Sequence, residues 1–302
     1  MPVIGENDSS SSMSPLEGLE TKQDLVTSHL PLLPVEILDQ ILQPQWKQCE
    51  DINTWREMAN VMLSCSLTSR TLHTIARACL YNDIRLYRHN SLCLFLRTVR
   101  ESFGGHCPAH ALHFVQVLPS DHHWWAKQYA MLAEEIISCC TELRYLEFNG
   151  ARDFRQFTSG RSLPEYPFLK KLEVSDLSLH FLAPLLPRFR NLESFEVLRC
   201  DSRCDLVKEH LPPSFKLLTL SISHTRLSRD QCKWLFASSS QSIESLEVHG
   251  ADESLGPLAD VMGGFVKKLH TSHFHDRQVI PRFRDNMQSS LKTFAFSWSR
   301  ET

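Results

Sequence analysis

No stretch of this chain is apolar over enough length to cross a bilayer. Its longest apolar runs, such as Leu92–Leu96, fall far short of the roughly 20 residues a spanning helix needs. A secretory leader is not expected either, because Met1–Ser14 is polar, acidic and serine-rich. Neither sign of charge prevails. With 32 Lys+Arg against 35 Asp+Glu the formal net charge is −3, so neither a nucleic acid nor a membrane surface is the expected partner. The ten cysteines keep no framework spacing. Without the pattern of a leader or of a disulfide framework, the chain is expected to be soluble and intracellular, in cytoplasm or nucleus, with reduced and mostly buried thiols.

Chemistry-bearing motifs are equally scarce. "MGGFVKK" lacks the Gly-x-x-x-x-Gly-Lys-Ser/Thr order that cradles phosphate, and no Gly-x-Ser-x-Gly occurs. "CDSRCDLVKEH" offers Cys200, Cys204 and His210, half of a zinc set, but no second Cys/His pair follows at the spacing a closed tetrahedral site requires. In "HTSHFHD", His270, His273 and His275 lack acidic or cysteine co-ligands, which suggests a solvated strand edge. Cys139 and Cys140 are adjacent and cannot easily bridge each other. The expectation is a non-enzyme without metal or cofactor.

What remains is a chain of 302 residues, 42% hydrophobic, that divides into three. Residues 1–28 are too polar to offset the entropy of ordering and form a disordered tail. Residues 29–90 are helical in pattern. "LPLLPVEILDQIL" has Pro34 suited to the first helical position, Glu36 in the first turn, and Val35, Leu38, Ile41 and Leu42 at helical spacing, with Ile37 widening the stripe. A polar insert follows over residues 43–57. A second helix carries Met58, Val61, Met62 and Cys65, and a third, after a Thr68–Ser69 cap, carries Leu72, Ile75, Ala76, Cys79 and Leu80. Three short helices in about sixty residues stand near the lower limit of independent stability, so this unit is expected to lean on something else.

Residues 91–302 repeat. The pattern apolar-x-x-apolar-x-apolar occurs as Leu112/Val115/Val117, Leu143/Leu146/Phe148, Leu169/Leu172/Val174, Leu192/Phe195/Val197, Phe215/Leu218/Leu220, Ile243/Leu246/Val248, a weak Val266/Leu269, and Leu291/Phe294/Phe296. Successive starts are 31, 26, 23, 23, 28, 23 and 25 residues apart, which is a repeat signature. Tyr81/Ile84/Leu86 fits the same pattern directly after the third helix. Helical segments lie between, notably "LSRDQCKWLFASSSQS" with a Ser228/Gln231 capping box, and "HHWWAKQYAMLAEEIISCC" with Trp125, Met131, Leu132, Ile136 and Ile137 available to pack. Strand, turn and helix at this period describe an irregular leucine-rich-repeat solenoid of parallel strands with helices, each unit burying its strand against its neighbours. The turn site that regular units fill with Asn or Cys holds Ala151, Leu177, Cys200, Ser223, Ala251 and Phe274, so the side-chain ladder there is expected to be mostly absent or replaced. The overall expectation is α+β or α/β: a small three-helix domain followed by a solenoid.

Residues 33–88 resemble the F-box family, its fungal members in particular. The matching text is "LPVEILDQIL" and then "VMLSCSLTSRTLHTIARACLYNDIRLY". It carries the opening Leu-Pro-x-Glu-Ile, the Leu-x-x-Cys/Ser-Leu-x-Ser-Arg run and the closing "LYNDIRL". In that family degenerate leucine-rich repeats commonly follow, as here. The insert at residues 43–57 is longer than the family's usual connection. The resemblance implies a substrate-receptor subunit of a cullin–RING (SCF) ubiquitin ligase, with a Skp-type adaptor and cullin as partners and a protein target held by the repeats. Carried over, the adaptor-docking residues are Leu33, Pro34, Ile37, Leu38, Ile41, Leu63, Leu67 and Ser69. About half of these are expected to fill the helical core instead, and Leu38 and Leu42 are the inward candidates. The alternative is a scaffold whose helices only cap the solenoid.

The strand phase exposes a second surface. The residues expected at its centre are Gln116, Glu147, Glu173, Glu196, Thr219, Glu247, His270 and Ala295. Three glutamates on successive strands would repel, and Lys171 beside Glu173 is expected to relieve them. Glu147, Glu173, Glu196 and Glu247, with Tyr145 and Lys171, are the candidate target-binding residues, an acidic stripe suited to a basic peptide. The chain ends in "FSWSRET", directly after a strand, so either the last repeat pairs differently or the chain continues.

Overall fold

The computed structural model describes residues 37, 38, 40, 42, 52–87, 89–102, 107–115, 123–149, 164–200, 210–250, 252–262, 265–272 and 291–297. The serine-rich tail and the first part of the polar insert lie outside them. In chain order the elements are α1 (Ile52–Ser66), α2 (Arg70–Asn82), β1 (Asp83–Leu86), α3 (His89–Ser102), β2 (Ala111–Val115), α4 (His123–Cys139), β3 (Tyr145–Asn149), β4 (Lys171–Ser175), α5 (Leu179–Leu182), β5 (Ser194–Leu198), β6 (Thr219–Ser223), α6 (Arg229–Phe236), β7 (Ser245–His249), α7 (Asp252–Val261), β8 (Lys268–Ser272) and β9 (Thr293–Ser297). The fold is α/β and solenoid-like. Nine strands form one parallel sheet whose order is the chain order. Parallel neighbours need a crossover, and the helices and loops between strands supply it.

The register explains the repeat. Ile84, Leu112, Leu146, Leu172, Phe195, Leu220, Leu246 and Leu269 are successive partners across the sheet, and all are buried. A second inward row, two residues on, runs Leu86, Phe114, Phe148, Val174, Val197, Ile222, Val248 and Thr271. Between these rows and the helices lies one continuous core, which includes Ile136 and Ile137 of α4 and Cys232, Leu235 and Phe236 of α6. Phe114 and Phe148 stack at 5.2 Å between centroids. The capping box of α6 is formed, with the Gln231 N–H donating to Ser228 Oγ and the Ser228 N–H donating to Gln231 Oε1.

Two strands sit differently from the sequence reading. In β2 the inward residues are Leu112 and Phe114, so the motif starts at buried Ala109 and puts His113 on the outward face. Gln116 and Val117, expected in this strand, lie outside the described residues. In β6 the inward residues are Leu220 and Ile222 with Leu217 opening the motif, so Ser221 replaces Thr219 in the outward row and Leu218 is exposed. Phe215 is buried too, 6.4 Å from the Phe195 ring, which is why both phases look equally apolar in sequence.

The same shift moves the turn site from Ser223 to Thr225. Its buried hydroxyl accepts the Cys200 N–H at 3.0 Å and donates to the Ser223 carbonyl at 3.0 Å. Buried Ser254 continues the series, donating to the Thr225 carbonyl and accepting the Leu227 N–H, both at 2.7 Å. The ladder expected to be mostly absent or replaced is a replaced one here, built from Cys200, Thr225 and Ser254. Just after β4, β5, β6 and β7 the backbone turns left-handed, at Asp176, Arg199, His224 and Gly250, with φ of 51°, 50°, 50° and 54°. Each N–H donates to the last carbonyl of the next strand: Leu198, Ser223, His249 and Ser272 in turn. That bond recurs at every one of these turns and offsets a conformation few side chains adopt.

Ahead of the sheet, α1 and α2 pack into a separate cluster of Leu42, Ala59, Met62, Ile75, Ala76 and Cys79, with Leu38, Trp55, Met58, Cys65, Leu72 and Leu80 against it. Helix α1 begins at Ile52, inside the expected insert, so residues 52–57 are helical. Val61, expected in the packed stripe, is exposed, because two helices and one preceding turn cover only the Trp55–Met58–Met62–Cys65 line of α1. Met131 of α4 is likewise exposed rather than packed. Helix α2 runs into β1 without a break, and Trp55 lies edge-on to Tyr87 at 5.8 Å and 6.0 Å from the Arg85 guanidinium.

Candidate functional site

The outward face of the sheet carries a row of polar side chains in register, Arg85, His113, Glu147, Glu173, Glu196, Ser221, Glu247 and His270, which ends on Ala295. Parallel pairing holds neighbours about 4.8 Å apart, so each residue feels the next. Glu147, Glu173 and Glu196 do stand side by side, and Lys171 Nζ pairs with Glu173 within its own strand while lying 5.5 Å from the Tyr145 ring.

Charge along this row is graded. At the first strands His113 sits between two carboxylates, with Nε2 2.9 Å from Asp83 Oδ1 and Nδ1 2.6 Å from Glu147 Oε2. The Tyr145 hydroxyl donates to Glu147 at 3.3 Å, and Arg85 is 3.5 Å from Asp83. Burial alone would push both carboxyls up, but the imidazole's hydrogen bonding and charge outweigh it and hold Asp83 and Glu147 below their usual range. Burial would push His113 down, and the same two carboxylates instead raise it. At Glu196 burial, then the charge of Glu173, raises the carboxyl, and the opposing charge of Lys171 does not offset them. Burial and the charges of Glu147 and Glu173 push the Tyr145 hydroxyl far up, so it stays a donor. The carboxylates at β1–β3 are balanced by His113, whereas Glu196 stands among carboxylates that disfavour its charge.

Beyond Ser221 the row changes character. Glu247 is followed on the same face of β7 by His249, and His270 is the register partner of Glu247 on β8. The sequence expectation set His270 beside His273 and His275, which lie outside the described residues. His113, Asp83, Arg85 and His249 were not singled out from sequence. The phase of Tyr81/Ile84/Leu86, extended to the next strands, was the signal that would have found them.

The second candidate surface lies on the helical unit. Ile37, Leu63 and Leu67 are 39%, 52% and 87% exposed, with Leu63 in the last turn of α1 and Leu67 in the turn just past its end. Leu38 is half-buried against the small core and Leu42 is buried. Ser69 caps α2, its hydroxyl accepting the Leu72 N–H at 3.1 Å. Its side chain therefore has a structural role besides any docking one. Leu33, Pro34 and Ile41 lie outside the described residues.

A scan against known protein families finds no match to this chain, and a search of curated proteins finds none. No helix among the described residues is long and apolar enough to cross a membrane.

Proposed function

We propose that this chain is an F-box substrate receptor. Its helical unit docks on a Skp-type adaptor and cullin, and the outward face of its leucine-rich repeats holds a protein target. The observation that carries this reading is the division of the front helices into two sides. Leu38, Leu42 and Met62 point into a small core, while Ile37, Leu63 and Leu67 are left to solvent. A small helical unit gains little by displaying large apolar side chains unless a partner's groove covers them. Holding ligase and target on one body makes ubiquitin transfer effectively intramolecular, so the chain needs no catalytic group of its own. The graded acidic row on β3–β5 suits a basic segment of the target.

A second reading has its own observation. Trp55, Tyr87 and Arg85 join the helical unit to β1, as a cap covering the first strand would require. A cap-only scaffold would bind no adaptor. Co-purification from cells expressing the full chain and a Skp-type adaptor separates the two. Recovery of adaptor and cullin with the chain is expected, and their absence would leave the scaffold.

A further inference from the structure

At the β7–β8 end of the outward face, Glu247, His249 and His270 converge. Glu247 and His270 are direct register partners, and His249 lies two residues beyond Glu247 on the same strand. One ligand atom from each lies within 4.8 Å of the other two. The two imidazole rings meet edge to face at 5.1 Å between centroids. The Ser272 hydroxyl, opposite His249 in the register and nearly buried, is 2.5 Å from His249 Nδ1.

From this geometry we propose a divalent transition-metal site, with Zn2+ as its ion, held by Glu247, His249 and His270. Two imidazoles and one carboxylate are a borderline donor set that suits Zn2+. Mg2+ and Ca2+ take mainly oxygen ligands and more of them. Bond lengths of about 2.0–2.1 Å set tetrahedral donor atoms roughly 3.3 Å apart. Closing from the present separations takes side-chain rotation and no movement of the paired strands. The Ser272 hydroxyl orients the His249 ring as outer partners orient metal-bound imidazoles. Three protein ligands leave a coordination position open on the outward face, where water or a donor side chain of a bound protein completes it. The site does not depend on the ligase reading.

The test uses the full chain without a histidine tag, stripped with chelator and then titrated with Zn2+ by calorimetry and with Co2+ by visible absorption. One equivalent is expected, with a Co2+ spectrum of a four-coordinate nitrogen–oxygen centre and no thiolate charge-transfer band. His249→Ala/His270→Ala should weaken binding at least 100-fold, and the size-conserving Glu247→Gln should weaken it at least 10-fold. Matching circular dichroism of the metal-free proteins establishes that both variants fold. Wild-type binding no tighter than that of the double variant, or a thiolate band that survives in it, would overturn the site.

Discussion

His113 is the most electrostatically committed side chain of the outward face, because it contacts Asp83 and Glu147 at once. Its raised pKa means that its contribution is complete below its ordinary value of 6.5 and fades as pH rises through the higher folded value. The lowered carboxyls contribute fully above their ordinary values, 4.5 for Glu147, and lose it as pH falls through the lower folded values. The bridge therefore stabilises most between about pH 4.5 and 6.5. Chemical denaturation of His113→Gln against wild type should show a deficit of roughly 1–3 kcal/mol in that window, shrinking toward pH 9. A deficit that does not change with pH would mean that packing, not charge, is what His113 supplies. Thr225 offers a neutral counterpart. Thr225→Val keeps the shape but strands the buried Cys200 N–H, while the Ser223 carbonyl keeps the Arg199 N–H, and equilibrium unfolding should register a loss of roughly 1–3 kcal/mol.

At the scale of strand and turn, Gly250 is the most demanding position described. Its φ is +54°, and a Cβ there would stand 2.5 Å from the His224 ring. Gly250→Ala should destabilise by about 1–3 kcal/mol through left-handed strain and that close approach. Removing the ring with His224→Ala should relieve part of the loss, as a double-mutant cycle of melting curves would reveal. Turns of this kind also mark how far the sequence was legible. Strands β3, β4, β5 and β7 follow from pattern alone, because each offers a single phase in which all apolar positions are large. Strand β2 was misplaced because Ala109, a small residue, opens its motif. Strand β6 was misplaced because Phe215 and Leu217 are both buried two residues apart, which makes two phases equally apolar. Those errors hid the two features the register brings out, Thr225 in the turn and His113 in the outward row. Glu247 and His270 were legible as neighbours in the outward row, but His249 was not, because it lies one step past the repeat's last apolar position and spacing within "HTSHFHD" carries no information about it.

For the whole molecule the account joins two surfaces, an apolar one on the front helices and a graded acidic one along the sheet. They make separable predictions. Glu147→Gln/Glu173→Gln/Glu196→Gln should abolish capture of a basic target while leaving adaptor binding intact, as parallel pull-downs would establish. Capture that survives the triple change would remove the acidic row from target recognition. The front surface decides the central claim. Titration calorimetry of the full chain against a purified Skp-type adaptor should give one-to-one binding, micromolar or tighter. The exposed-face variant Ile37→Lys/Leu63→Lys should lose about 100-fold, or about 2.7 kcal/mol, with an unchanged melting temperature. No heat of binding for the wild type, or equal affinity for both proteins, would contradict the receptor account.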